Sequence, residues 1–224
     1  MKTIALLPMK ANSERVIGKH FKELGGKPLF RWMLDKLLQI DEIDEVVINT
    51  DAHKNLNQAC LPHDDKLTIR NRKKEICGYF VSMNKIIKDE IENTDGNIYL
   101  MTHTTNPFLS IKSIKSGLLE LNHALKENKA DSLFTVNLFQ DRLYSEDAKP
   151  INHDPNNLIR TQDLTPWYKE NSNMYIFTKK SYIATNSRID KKPQMIVTKE
   201  YETTEVDTKQ ECDSAEVVLE YYQR

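Results

Sequence analysis

Short apolar runs alternate with amphipathic stretches along most of this chain. Residues 3–7 (TIALL) read as a buried strand. Leu29, Phe30, Met33, Leu34, Leu37 and Leu38 then recur at helical spacing, and Pro28 suits the opening turn of that helix. Residues 45–50 (EVVINT) form a strand ending at Asp51. A short helix at 53–60 and a strand at 66–70 follow. Val81, Ile86, Ile87 and Ile91 mark another helix and residues 97–101 (NIYLM) the next strand. Ser110 can cap a helix carrying Ile111, Ile114, Leu118, Leu119 and Leu121. Residues 132–138, 173–177 and 194–198 carry further strand signals, and Ala215, Val218, Leu219 and Tyr222 mark a terminal helix. This alternation predicts an α/β fold with a mainly parallel sheet and helices on both faces. No internal repeat or low-complexity segment interrupts it.

One segment breaks the rhythm. Residues 137–173 are rich in Asp, Asn, Gln and Pro, with isolated apolar anchors at Leu143, Tyr144, Ile151, Leu158, Leu164, Trp167 and Tyr168. A polar stretch this long inside a compact domain is functional or disordered, and the anchors argue against disorder. Such anchors cannot be buried well by the segment alone, so docking on a second subunit is expected.

Composition narrows the partners. The 224 residues suffice for one well-buried α/β domain, and the formal net charge of -1 gives no general attraction to nucleic acid or acidic membranes. Cys60, Cys77 and Cys212 show no zinc or CxxC spacing and suit a reducing cytoplasm. The apolar run in MKTIALLPMK is too short for a signal peptide, and no segment approaches the ~20 apolar residues of a membrane span.

The chemistry concentrates directly after the first strand, in PMKANSERVIGKHF (8–21). Lys10, Arg15 and Lys19, with Asn12 and Ser13, stand at the strand's carboxyl end, where open α/β sheets bind ligands. Such a basic loop is either a solvated surface or a seat for a polyphosphate, and its place after the first strand favours the phosphate. There is no GxxxxGK[ST] loop, and no GxGxxG follows the first strand.

This segment, followed by Gly25-Gly26-Lys27-Pro28-Leu29, resembles the signature of the cytidylyltransferases that activate acidic sugars. These are the N-acylneuraminate type and, more distantly, the Kdo type. Lys10 stands where that family usually has Arg, Glu14 where Lys is common and His20 where Asn is common. The resemblance implies the Rossmann-like nucleotide-diphospho-sugar transferase fold, one domain over residues 1–224, and an arm at 137–173 that pairs two subunits and closes the sugar site. It implies transfer of CMP from CTP to a sialic acid-like nonulosonate with release of pyrophosphate. Kdo or another acidic acceptor such as a phosphonate, or a non-catalytic nucleotide-binding role, are the alternatives.

The resemblance also assigns residues. Pro8, Met9, Lys10, Asn12, Ser13, Arg15 and Lys19 would hold the nucleotide. Arg15 would fork two phosphate oxygens where Lys10 offers only a point charge. Attack on the α-phosphate gathers negative charge, which calls for cations and a divalent metal held by carboxylates. Glu205-Val206-Asp207-Thr208 matches the family's metal motif, in which Asp is usual at the first position. In an extended chain Glu205 and Asp207 share a face and can converge on one Mg²⁺. Asp207 or Thr208 could equally be the cap of the last helix. His103, Thr105 and Asn106 fall where the family contacts the acidic sugar, though a histidine at a strand end can also be structural. Leu109 replaces a family Arg there. Arg160, Gln162, Tyr168 and Asn171 are candidates for the sugar or the partner subunit, and Ser172 replaces a Gly. Asp51 is expected to organise its loop.

Overall fold

Strand β1 (Thr3–Leu6) is apolar on both faces and lies inside a seven-stranded sheet. Ile4 and Leu6 point to one face and Ala5 and Leu7 to the other, the period of two that an extended chain imposes. Helices therefore cover both faces, as parallel sheets require. The computed structural model describes residues 1–11, 18–59 and 61–222.

The chain continues through a small hairpin, β2 (Glu23–Leu24) and β3 (Lys27–Pro28), into helix α1 (Leu29–Leu38), then β4 (Glu45–Thr50), α2 (His53–Gln58) and β5 (Leu67–Asn71). Next come α3 (Met83–Asn93), β6 (Ile98–Thr102), α4 (Ile111–Lys126) and β7 (Ser132–Phe139). β8 (Trp167–Thr178), α5 (Lys179–Thr185), β9 (Pro193–Val197) and α6 (Lys209–Tyr222) complete the described chain. The spatial order is β5-β4-β1-β6-β8-β7-β9. β8 alone runs against its neighbours β6 and β7; the other neighbouring pairs are parallel. The mainly parallel sheet is as expected.

On one face α1 and α4 bury Phe30, Met33, Leu34, Ile114, Leu118 and Leu121; on the other, α3 and α5 bury Ile87, Ile91 and Tyr182. Ser110 caps α4 as anticipated, its hydroxyl accepting from Ser113 N at 3.1 Å. Leu119 is 59% exposed, because it follows Leu118 on the helix and two consecutive residues cannot share one face. Val81 stands before α3, not within it. Pro28 sits one residue ahead of α1.

The irregular segment is shorter than expected. Leu138 pairs with Tyr168 and Phe139 with Trp167, so β7 and β8 run past their other neighbours as a two-stranded ribbon, and only 140–166 is irregular. Polar outward residues such as Lys169 and Glu170 concealed this pairing. Within the segment Leu164 is buried and Tyr144 meets His153 edge-on at 4.8 Å, whereas Leu158 and Trp167 stay exposed.

Helix α6 is seated by Ala215 and Leu219 against Leu24, Leu29, Phe108 and Val206. Gly25 turns the β2–β3 hairpin at φ +56°, and a Cβ there would lie 2.1 Å from Leu219 Cδ2, so this turn admits no side chain. Among the described residues no helix is long and apolar enough to cross a membrane.

Candidate active site

From β1 the chain moves outward to β4 and β5, then crosses back to place β6 on the other side of β1. Such a reversal opens a crevice at the carboxyl ends of the two central strands. A cleft of about 370 Å³ lies there, a volume suited to a small-molecule ligand. Pro8 and Lys10 follow β1 into it, and His103, Thr104 and Thr105 follow β6.

The third wall comes from far along the chain. Val206 N donates to Thr105 O at 2.9 Å, which pins residues 205–207 to the end of β6. Glu205 and Asp207 consequently both line the cleft. Lys19, buried like Asp207, forms a salt bridge with it across the cleft. The capping question also resolves here. Thr208 Oγ1 accepts from Glu211 N at 3.2 Å, and Glu211 Oε2 accepts from Asp207 N and Thr208 N at 2.9 and 2.7 Å. This is a capping box centred on Thr208, and it leaves the Asp207 carboxylate for Lys19. Glu205 is pushed above the usual carboxylate range, first by burial and then by the charge of Asp207.

Two histidines complete the floor. His20 Nδ1 lies 2.6 Å from Thr104 Oγ1, and burial, reinforced by Lys19 and Lys10, lowers its pKa to about 3. His103 is lowered to about 4, by burial first and then by Arg188. Both imidazoles are therefore neutral at neutral pH and act as hydrogen-bonding groups.

The chain matches known proteins along nearly its whole length. The family model described as Cytidylyltransferase matches residues 4–222. The chain belongs to the cytidylyltransferase family. Members of this family are nucleotidyltransferases. The chain is 20% identical over 231 residues to the pseudaminic acid cytidylyltransferase of Campylobacter jejuni, covering 97% of this chain and 96% of that protein. It is 24% identical over 201 residues to the CMP-N,N'-diacetyllegionaminic acid synthase of Legionella pneumophila, covering 84% and 82% of the two chains. Among solved structures, CMP:2-keto-3-deoxy-manno-octonic acid synthetase complexed with CTP superposes with a TM-score of 0.70 at 13% identity over 99% of this chain and all of that one, a likeness of fold.

Within this cytidylyltransferase the expected site residues separate into groups. Lys10, Lys19, Pro8, His103, Thr105, Glu205 and Asp207 meet at the cleft. Met9 is buried beneath it and bridges Thr50. Asn12, Ser13 and Arg15 lie outside the described residues. Asn106 is fully buried, with Nδ2 2.6 Å from Asn173 Oδ1 and a further bond to Glu205, so it holds the wall from behind. Asp51 organises its loop as expected, accepting from Ala11 N at 2.6 Å. Asn171 donates to Asn137 and Thr198 within the sheet at 2.9 and 2.8 Å. Arg160 is exposed and forks Asp163 at 2.7 and 3.0 Å, and Gln162 and Tyr168 are also exposed; none of these lines the cleft of the single chain.

Sequence reasoning missed Arg72 and Tyr79, and marked Ser172 only for the glycine it replaces. Arg72 directly follows β5 and donates to Asn49 Oδ1 at 2.7 Å and to the carbonyl of Asn49 at 2.8 Å. Asn49 is held in turn by buried Glu90. A cation at the carboxyl end of a strand two places from β1 was the available signal. Tyr79 stands 4.9 Å from Lys10 Nζ, in cation–π contact. Ser172 adopts φ 56° beside the irregular β7–β8 pairing, so the left-handed turn persists without glycine.

The depressed His20 makes a stability prediction. The unfolded imidazole takes a proton below about pH 6.5, and the folded one resists until about 3. Stability is thus complete above pH 6.5 and falls as pH drops toward 3, by up to about 1.4 kcal/mol per pH unit from this group. Urea unfolding between pH 7 and pH 4 should show a shallower acid loss in His20→Gln than in the wild type. An unchanged slope would exclude His20 as its source.

Proposed function

We propose that this cytidylyltransferase transfers CMP from CTP to an acidic nonulosonate, releasing pyrophosphate in a Mg²⁺-dependent reaction. The observation that carries this reading is the Lys19–Asp207 pair beside Glu205, in the cleft that Pro8 and Lys10 also line. The names of the relatives, which concern pseudaminic and legionaminic acids, support the acceptor class.

The acceptor hydroxyl forms the new bond to the α-phosphorus and gives up its proton to solvent, and the bond from that phosphorus to the bridging oxygen breaks as pyrophosphate leaves. Lys10, Lys19 and Arg72 would gather the triphosphate charge, with Arg15 of the same loop as the forked cation. His103, as a neutral imidazole, would bond the acceptor. Thr105 lies beside it.

Glu205 and Asp207 fit a hard divalent cation. They are two neighbouring carboxylates whose mutual repulsion contributes to the upward shift of Glu205. No group of three such ligands occurs among the described residues, and Mg²⁺ characteristically takes one or two carboxylates with substrate phosphates. When bound it would neutralise phosphate charge. Pyrophosphate release from CTP plus nonulosonate should stop with chelator and return with Mg²⁺; undiminished release in chelator would contradict the metal assignment.

The arm supports a homodimer. Leu158, Trp167 and Tyr168 are 66%, 43% and 46% exposed, and Trp is the kind of residue that dominates interfaces. Trp167→Ala should shift a dimer toward monomer and lower activity through the neighbour's sugar pocket, with CTP binding retained. Light scattering checks this, and a monomeric, fully active wild type would contradict it. Two of the cysteines, Cys77 and Cys212, are free thiols, in keeping with a cytoplasmic site of action.

A further inference from the structure

Arg188 lies in the loop between α5 and β9, outside every motif considered above, yet it reaches the end of the central sheet. Met101 of β6 is paired with Tyr175 of β8, and both side chains lie on the face covered by α3 and α5. His103 stands two residues beyond Met101, at the cleft. Arg188 packs onto this corner: its guanidinium carbon is 3.8 Å from the centre of the Tyr175 ring. Nη2 donates to the Tyr175 hydroxyl at 3.2 Å, and Nη1 points to Met101 Sδ at 3.7 Å. The Tyr175 hydroxyl donates to Glu170 and lies 3.2 Å from Ser172 Oγ, the Ser172 side chain being part of the cleft wall.

The bonding of Arg188 is incomplete for a guanidinium that is 23% exposed. Arginine offers five donors. Among the described residues its partners are a thioether, a phenol and the carboxylate of Glu170, the last at 4.0 Å. A thioether is a weak acceptor, so the Nη1 side keeps capacity for a stronger one. The surrounding charge points the same way. Lys19 is already neutralised by Asp207, and Glu205 adds negative charge to that wall. Among the described residues the cleft's other cations, Lys10 and Arg72, are those assigned above to the triphosphate.

We infer that Arg188 is the specificity-determining cation that selects a carboxylate-bearing acceptor, standing one side-chain layer behind His103 and Ser172. This rests on the proposed transfer to an acidic sugar and names the residue that makes the site prefer the acid. Tyr175 and Glu170 hold the guanidinium in place, and the Tyr175 hydroxyl links it to Ser172 in the cleft wall.

The test uses the full chain with CTP, Mg²⁺ and two probes, pseudaminic acid and N-acetylneuraminic acid, each beside its C1 methyl ester. The wild type should prefer acid over ester. Arg188→Gln should raise KM for the acid about tenfold or more, leave KM for CTP unchanged and erase the acid-to-ester preference. Arg188→Lys should restore much of that preference, which a purely structural role would not do. In the same variant pair His103 should titrate above its wild-type value of about 4 in Arg188→Gln, with Lys19 and Asp207 its remaining charged neighbours. Normal product formation with an intact acid preference in Arg188→Gln would overturn the inference alone. Absence of CMP transfer to either acid by the wild type would overturn the proposed function and the acceptor role together.

Discussion

Asp207→Asn should reduce turnover by 10²-fold or more while α6 remains folded. The amide keeps the shape of the carboxylate but not its charge, so it can neither pair fully with Lys19 nor serve a divalent cation. The helix should survive because its cap is built from Thr208 and Glu211, not from the Asp207 side chain. Far-ultraviolet circular dichroism should therefore change little, while steady-state assays lose nearly all rate. Full activity at low Mg²⁺ would remove Asp207 from the chemistry, and loss of the helix would show that the carboxylate supports α6 after all. Glu205→Asp, which shortens the neighbouring carboxylate by one methylene, should be tolerated by comparison.

Lys19→Met should also lose turnover by about 10²-fold or more, since it removes a cation from the cleft proposed to hold the triphosphate. Its stability signature distinguishes it from an ordinary surface lysine. Lys19 and Asp207 are both buried, and removing one partner of a buried ion pair takes compensation away from the other charge, at a cost of up to roughly 3–5 kcal/mol. Lys19→Met combined with Asp207→Asn should therefore be more stable than the sum of the two single losses, and more stable than Lys19→Met alone. Urea unfolding of the four proteins measures this coupling. Strict additivity would mean that the two groups do not interact in solution.

Much of this architecture was legible in the sequence because its inner strands are buried on both faces. Near-continuous apolar runs such as those of β1, β4 and β6 announce themselves without any partner information. The ribbon formed by the ends of β7 and β8 was not legible, since Lys169 and Glu170 face water and their pairing is set by residues on the opposite side of a 27-residue irregular stretch (140–166). The Thr208 cap was readable in principle, as Thr208 and Glu211 have capping-box spacing. Arg72 and Arg188 were harder. Each reaches its place through the packing of strands distant in sequence, and a single basic residue after a strand or in a loop has no local signature of that destination. His103 could be located at a strand end but not assigned a charge, because the burial and the Arg188 field that keep it neutral exist only in the folded chain.

The most direct test of the account is product formation by the unmodified protein. Purified chain, CTP and Mg²⁺ should be incubated with pseudaminic, legionaminic and N-acetylneuraminic acids, and with Kdo, and the nucleotide products separated and weighed by mass spectrometry. The account predicts a CMP-linked nonulosonate formed in equal amount with pyrophosphate from at least one of the three nine-carbon acids. Unchanged CTP with all three, under conditions where the protein is folded and binds CTP, would contradict it.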